Sequence, residues 1–200
     1  FKDITVPEAN PFLGFRGIRL FLKYPDLLKS QIKAIYRASP GFNVSIMIPM
    51  VTDLGEIIRV KEIIDDVKKE LTSKGVSFNE NIPLGVMIEV PSSAIIIDYI
   101  LDHVDFVSIG TNDLIQYLLA VDRVNQYVSS MYDPFHPAVL RMINFVISTA
   151  HKRGKKVSVC GEMAADPMGV VALLALGVDI LSVSIRLFLK VKQIIRNLNY

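Results

Sequence analysis

With 200 residues, 51% hydrophobic and 21% charged, the chain holds enough apolar material for one core and has the size of a single domain. Its 22 basic and 20 acidic side chains leave a net charge of +2, with no run of five like charges, which argues against nucleic acid or an anionic membrane as a main partner. The longest apolar run, Val170 to Leu176, falls far short of the roughly 20 residues that span a bilayer, and one cysteine excludes an internal disulfide framework.

Residues 1–13 carry Pro7 and Pro11 and read as an irregular lead-in. Gly14-Phe-Arg-Gly-Ile-Arg19 reads as a short strand or turn whose small neighbours would let Arg16 and Arg19 lie close to backbone and ligand; two solvated arginines are the alternative. Helical spacing runs from Pro25 to Arg37, and Val44 to Pro49 is an apolar, β-branched strand. Asp53 and Glu56 form a capping pair for a helix that ends at Gly75 and has a solvated Lys/Glu face.

Leu84 to Glu89 is an apolar strand that ends on a carboxylate, and an unpartnered buried charge is costly. Glu89 therefore calls for a cation or a structural arginine. A helix over 92–103 follows. The strand Asp105 to Ile109 then leads through Gly110 into Thr111-Asn-Asp113, where helical spacing resumes. Beyond the loop at 131–137, a helix covers Ala138 to His151 and a strand covers Lys156 to Cys160, ahead of Gly161 and Glu162. Asp166-Pro167 caps a helix that reaches Leu176; a last strand, 178–183, precedes a helix over Lys190 to Arg196.

Strands this apolar, alternating with helices, predict a parallel sheet covered by helices and without a wet face. The expected fold is α/β, a single (β/α)8 TIM-barrel domain over 1–200, truncated to about six of eight strands, counting 14–19; an open doubly wound sheet is the runner-up. Barrel catalytic groups sit at the C-terminal strand ends, where Glu89, Asn112, Asp113 and Cys160 all fall. Two carboxylates beside an amide suit Mg2+ shared with an anionic substrate. Arg16 and Arg123 can neutralise phosphate or carboxylate through forked hydrogen bonds, and the Cys160 thiol can donate a proton, although a lone cysteine is often only a small buried hydrophobe. Residues alone thus point to a small phosphorylated carboxylate bound beside a metal.

Asn10-Pro-Phe-Leu-Gly-Phe-Arg-Gly-Ile-Arg19, Gly85-Val-Met-Ile-Glu-Val-Pro91, Ser108-Ile-Gly-Thr-Asn-Asp-Leu-Ile-Gln-Tyr117, Leu119-Ala-Val-Asp-Arg123 and Cys160-Gly-Glu162 occur in one order along the chain. Together they resemble the phosphoenolpyruvate-utilising enzymes, most closely the C-terminal domain of the enzyme I family of the bacterial sugar phosphotransferase system. Pyruvate phosphate dikinase and phosphoenolpyruvate synthase share the Gly-Thr-Asn-Asp core. The resemblance implies Glu89 and Asp113 as Mg2+ ligands, Arg16, Asn112, Asp113 and Arg123 as contacts to phosphoenolpyruvate, and Cys160 as the acid that protonates the methylene carbon. It further implies phosphoryl transfer to a histidine on a separate N-terminal domain and from there to HPr, and a homodimer; the single cysteine and the lack of a visible leader read as those of a cytoplasmic fragment. The family's own histidine motif surrounds none of His103, His136 or His151, and Ile185-Arg-Leu-Phe-Leu189 departs from the Ser- and Pro-containing turn of the family. Two further substrate arginines would lie upstream of Phe1. A fragment unable to transfer phosphate by itself is therefore expected; a silent dimer-forming module and another enolate-forming Mg2+ barrel remain the alternatives.

Overall fold

The computed structural model describes residues 8–198. Five strands, β1 (Ile46–Ile48), β2 (Leu84–Ile88), β3 (Phe106–Gly110), β4 (Lys156–Cys160) and β5 (Ile180–Leu181), pair in parallel in their order along the chain. Helices fill the connections that parallel neighbours require. They are α1 (Ile18–Lys23) and α2 (Pro25–Ala38) before β1, α3 (Leu54–Ser73) before β2, and α4 (Pro91–Ile95) and α5 (Ile97–Leu101) before β3. Next come α6 (Thr111–Leu119) and α7 (Pro137–Lys152) before β4, α8 (Pro167–Ala175) before β5, and α9 (Ile185–Asn197) after it. The fold is α/β with a parallel sheet. Its strand order never reverses among the described residues, so it lacks the switch point of a doubly wound sheet.

Successive strand residues point to opposite faces, and the two faces differ. Val86, Val107 and Val157 stand in one register row; with Ile88, Ile109 and Val159 they are fully buried. Each such side chain contributes about 1.5–3 kcal/mol on leaving water, which makes this face the core of the molecule. The opposite face carries Gly85, Met87, Phe106, Ser108 and Ser158 in register, and it is only partly covered: Met47 is 40% and Ile180 51% exposed. The expectation of a sheet without a wet face is corrected here, because small and polar residues interrupt the apolar runs on that side.

Several boundaries also differ from the sequence reading: the first strand covers Ile46–Ile48 where 44–49 was expected, and the last Ile180–Leu181 where 178–183 was expected. No strand covers 14–19: Gly17 adopts φ +58, packs against Met50, and starts α1 at Ile18, so the described residues contain five strands instead of six. The helix expected over 92–103 breaks at Ile96 into α4 and α5. α9 begins at Ile185, five residues before the expected Lys190. Capping followed expectation. Asp53 accepts from the Glu56 N–H at 3.1 Å while the Glu56 carboxylate takes the Asp53 N–H, and Asp166 accepts from Gly169. Among the described residues no helix is long and apolar enough to cross a membrane. Replacing Asp53 with Ala removes the α3 cap and is expected to cost about 1 kcal/mol in urea unfolding while leaving the sheet spectrum unchanged.

Candidate active site

The C-terminal ends of β2, β3 and β4 bring three positions level on the partly covered face. Gly110 pairs with Cys160 across β3 and β4, and Glu89 lies beside Gly110 on the other flank. A Cβ at Gly110 would come within 2.8 Å of Glu89 Oε2, so any side chain there would occupy the space beside that carboxylate. The row therefore reads carboxylate, glycine, thiol, with the Glu89 and Met87 side chains packed over the glycine.

Glu89 is 4% exposed, and its Oε1 accepts the Met50 N–H at 2.7 Å. That N–H is aimed by an unusual backbone, for Met50 has φ +60, a left-handed conformation that costs a non-glycine residue of order 1 kcal/mol or more. Asp113, in the first turn of α6, approaches from above and receives a forked pair from Arg16, Nη1 to Oδ1 at 3.2 Å and Nη2 to Oδ2 at 3.1 Å. Burial pushes the Glu89 carboxyl up; the Met50 N–H and Arg16 pull it back, Asp113 pushes it further, and it rests at about 7. Burial alone would lower Arg16, but its hydrogen bonds and charge contact with Asp113 raise it, so it stays a cation. One arginine thus serves two carboxylates.

Around this core, the Ser108 hydroxyl contacts the Cys160 sulfur at 3.9 Å, and burial raises the thiol above its ordinary value, keeping it protonated at neutral pH. Gly161, at φ +104, passes so close to α6 that a Cβ would lie 2.4 Å from Thr111 Oγ1 and 2.8 Å from Asn112 Oδ1. This close approach lets Asn112 Oδ1 accept the Glu162 N–H at 2.9 Å and Thr111 donate to the Cys160 carbonyl at 2.8 Å. Arg123 curls back to the same region. Its Nη1 donates to the exposed Glu162 carboxylate at 3.0 Å, its backbone N–H donates to Gln116 Oε1 at 3.1 Å, and its Nε is buried without a partner.

A family model described as PEP-utilising enzyme, PEP-binding domain, matches residues 2–200. The chain belongs to this family. Its PEP-utilising relatives include proteins named phosphoenolpyruvate-protein phosphotransferase: from Priestia megaterium, 49% identical over 96% of this chain and 34% of that protein; from Listeria monocytogenes, 44% identical over 98% and 36%; and from Haemophilus influenzae, 44% identical over 96% and 34%. The chain spans about a third of the length of these curated relatives. A citrate lyase from Burkholderia xenovorans has a similar fold, with a TM-score of 0.63 at 17% identity over 83% of this chain and 53% of that one.

For a PEP-utilising domain the donor set agrees with Mg2+. Among the described residues no group of three or more His, Cys, Asp or Glu is placed to hold a metal ion. Mg2+ takes one or two carboxylates and completes its shell with water and substrate oxygens, and Glu89 with Asp113 beside it is a donor pair of that type. Every expected site residue, Arg16, Glu89, Asn112, Asp113, Arg123 and Cys160, lies in this one region. Sequence reasoning missed Phe12, Gln116, Tyr117 and Glu162. Two of these had a findable signal, since Gln116 and Tyr117 follow Asn112 and Asp113 by four residues and share their helix faces. The three histidines are structural or peripheral: His136 Nδ1 accepts from Ala138, His151 pairs with Asp179 at 2.9 Å, and the His103 carbonyl accepts from Lys61.

The raised Glu89 value makes stability depend on pH in a stated direction. The folded state holds a proton that an unfolded glutamate, near 4.5, has released, so this group's contribution is complete below about 4.5 and is lost as pH rises through about 7. Urea unfolding at pH 5 and pH 8 is expected to show Glu89→Gln gaining on the wild type at the higher pH, by on the order of 3 kcal/mol.

Proposed function

We propose that this chain is the phosphoenolpyruvate-binding part of a phosphoenolpyruvate-protein phosphotransferase, the enzyme I of a sugar phosphotransferase system. The observation that carries the reading is the carboxylate–glycine–thiol row at Glu89, Gly110 and Cys160, with the Arg16–Asp113 pair beside it. A phosphorylated enol acid needs all of these: cationic groups for its phosphate and carboxylate, oxygen ligands for a divalent ion, and an acid near the carbon that must gain a proton. Names of relatives that share nearly half of the residues support the same activity.

Arg16 and Arg123 neutralise the anionic groups of the substrate with forked hydrogen bonds, and Asn112 and Asp113 fix it against the start of α6. Glu89 and Asp113 would hold Mg2+, which would supply stabilisation of negative charge on the substrate oxygens. The P–O bond breaks as the phosphoryl group passes to a histidine of a separate N-terminal domain, and from there to HPr. The enolate left behind takes the Cys160 proton at its methylene carbon to give pyruvate, and the thiolate regains a proton from water. The thiol suits this task because burial holds it protonated.

The five strands belong, in this reading, to a (β/α)8 barrel. Consecutive parallel order supports this, as does the second face, which in a barrel is filled by side chains from the strands opposite. The protein works in the cytoplasm as a homodimer; exposed Val124, Tyr127 and Met131, just beyond Arg123, supply apolar surface for pairing. Calorimetric titration with phosphoenolpyruvate is expected to give heat only when Mg2+ is present, and Arg123→Ala to weaken binding about tenfold at an unchanged melting temperature. An Arg123→Ala protein that unfolds would make this arginine structural. Brisk phosphohistidine formation on an added histidine domain would show that the chain, contrary to expectation, transfers phosphate without further barrel strands.

A further inference from the structure

Phe12 has no polar side-chain atom, yet both substrate arginines converge on it. The guanidinium carbon of Arg16 lies over its ring at 5.9 Å from the centroid, and that of Arg123 lies over it at 5.9 Å as well. The two cations therefore stand no more than twice that distance apart. Like charges so close repel, and the negative face of an aromatic ring offsets part of that repulsion.

The ring is itself held in place. The Tyr117 hydroxyl donates to the Phe12 carbonyl, and Tyr117 follows Asp113 by one turn of α6. Leu13 N–H closes the Pro11–Leu13 turn on the Asn10 carbonyl, while Arg19 Nη1 donates to the Leu13 and Gly14 carbonyls at 3.0 and 3.2 Å. The residue before Tyr117, Gln116, fixes the Arg123 backbone. One helix thus sets the ring, the root of Arg123, and the carboxylate that Arg16 grips.

We propose that Phe12 is a positioning residue for anion binding: its ring, tied to α6 through Tyr117, sets the spacing of the Arg16 and Arg123 guanidiniums so that both close on one ligand bearing a phosphate and a carboxylate. The inference deepens the phosphoenolpyruvate reading and rests on it. Each arginine is paired with a carboxylate, Asp113 or the exposed Glu162. An anionic ligand competes with those pairings for the edge N–H groups. The contact with the ring uses no carboxylate partner that an anionic ligand would displace, so the ring is the one seat both arginines retain when the ligand arrives.

The test uses this chain with Mg2+ and compares Phe12→Leu, which keeps apolar bulk without a π face, with Phe12→Trp, which keeps the face. Phosphoenolpyruvate affinity by calorimetry is expected to fall about tenfold in Phe12→Leu and to stay within about threefold of wild type in Phe12→Trp. In parallel, the Nε–Hε resonances of both arginines are followed by NMR without ligand. Both are expected to move in Phe12→Leu, through loss of the ring current, at an unchanged melting temperature. Wild-type affinity in Phe12→Leu, movement of only one arginine resonance, or an equal loss in Phe12→Trp would overturn the assignment. If the wild type itself binds no phosphoenolpyruvate, the functional reading fails, and the resonances still decide whether the ring seats both arginines.

Discussion

Two carboxylates held side by side, with a single guanidinium paired to one of them, are the constraint on which the rest of this structure depends. Glu89 ends β2 and is almost without solvent; Asp113 opens α6, with its side chain 15% exposed. Like charges in such a place cannot both ionise freely, and the protein answers with the forked Arg16–Asp113 contact and the Met50 N–H on Glu89. Burial first, and the neighbouring Asp113 charge after it, still hold the Glu89 carboxyl up at about 7. A structural ion pair would be matched one to one. Here Arg16 pairs with Asp113, and Glu89 has no basic partner within salt-bridge distance among the described residues.

The supporting elements can be traced from that shortage. The left-handed turn at Met50 is stabilised by close packing on Gly17, whose own positive φ turns the chain into α1 directly after Arg16. Strain at one strand end and a glycine turn 33 residues earlier are thus two sides of one contact that places the guanidinium over the sheet. On the other flank, Gly161 admits Asn112 and Thr111 against the end of β4, which brings Cys160 into the same row. α6 links these parts: its first turn supplies Thr111, Asn112 and Asp113, and its second supplies Gln116 and Tyr117, which tether Arg123 and the Phe12 turn.

Strands and most helices were legible in the sequence because their signals are local. The Val86, Val107 and Val157 row lies in unbroken apolar runs, and the α3 cap is written as Asp and Glu three residues apart. The segment 14–19, read as a short strand or turn, is the turn and not the sixth strand: Gly17 packs against Met50 at positive φ, a contact no local pattern encodes. The half-covered face was missed for a related reason: Ser108, Ser158 and Gly85 sit inside apolar stretches, and only the register shows that they share one side. Site residues with reactive groups could be named from strand ends and from family resemblance. Phe12 and Glu162 could not be given roles, since an apolar ring and an exposed carboxylate acquire them only through arginines distant in the chain.

The central claim, that Glu89 and Asp113 act together as an oxygen site for a divalent cation shared with an anionic substrate, is open to one direct measurement. Mn2+ can stand in for Mg2+ in an electron paramagnetic resonance titration of the folded chain with and without phosphoenolpyruvate. The account predicts one bound Mn2+ per chain, held more tightly when phosphoenolpyruvate is present, with binding lost in both Glu89→Gln and Asp113→Asn. Undiminished Mn2+ binding in either variant would contradict it.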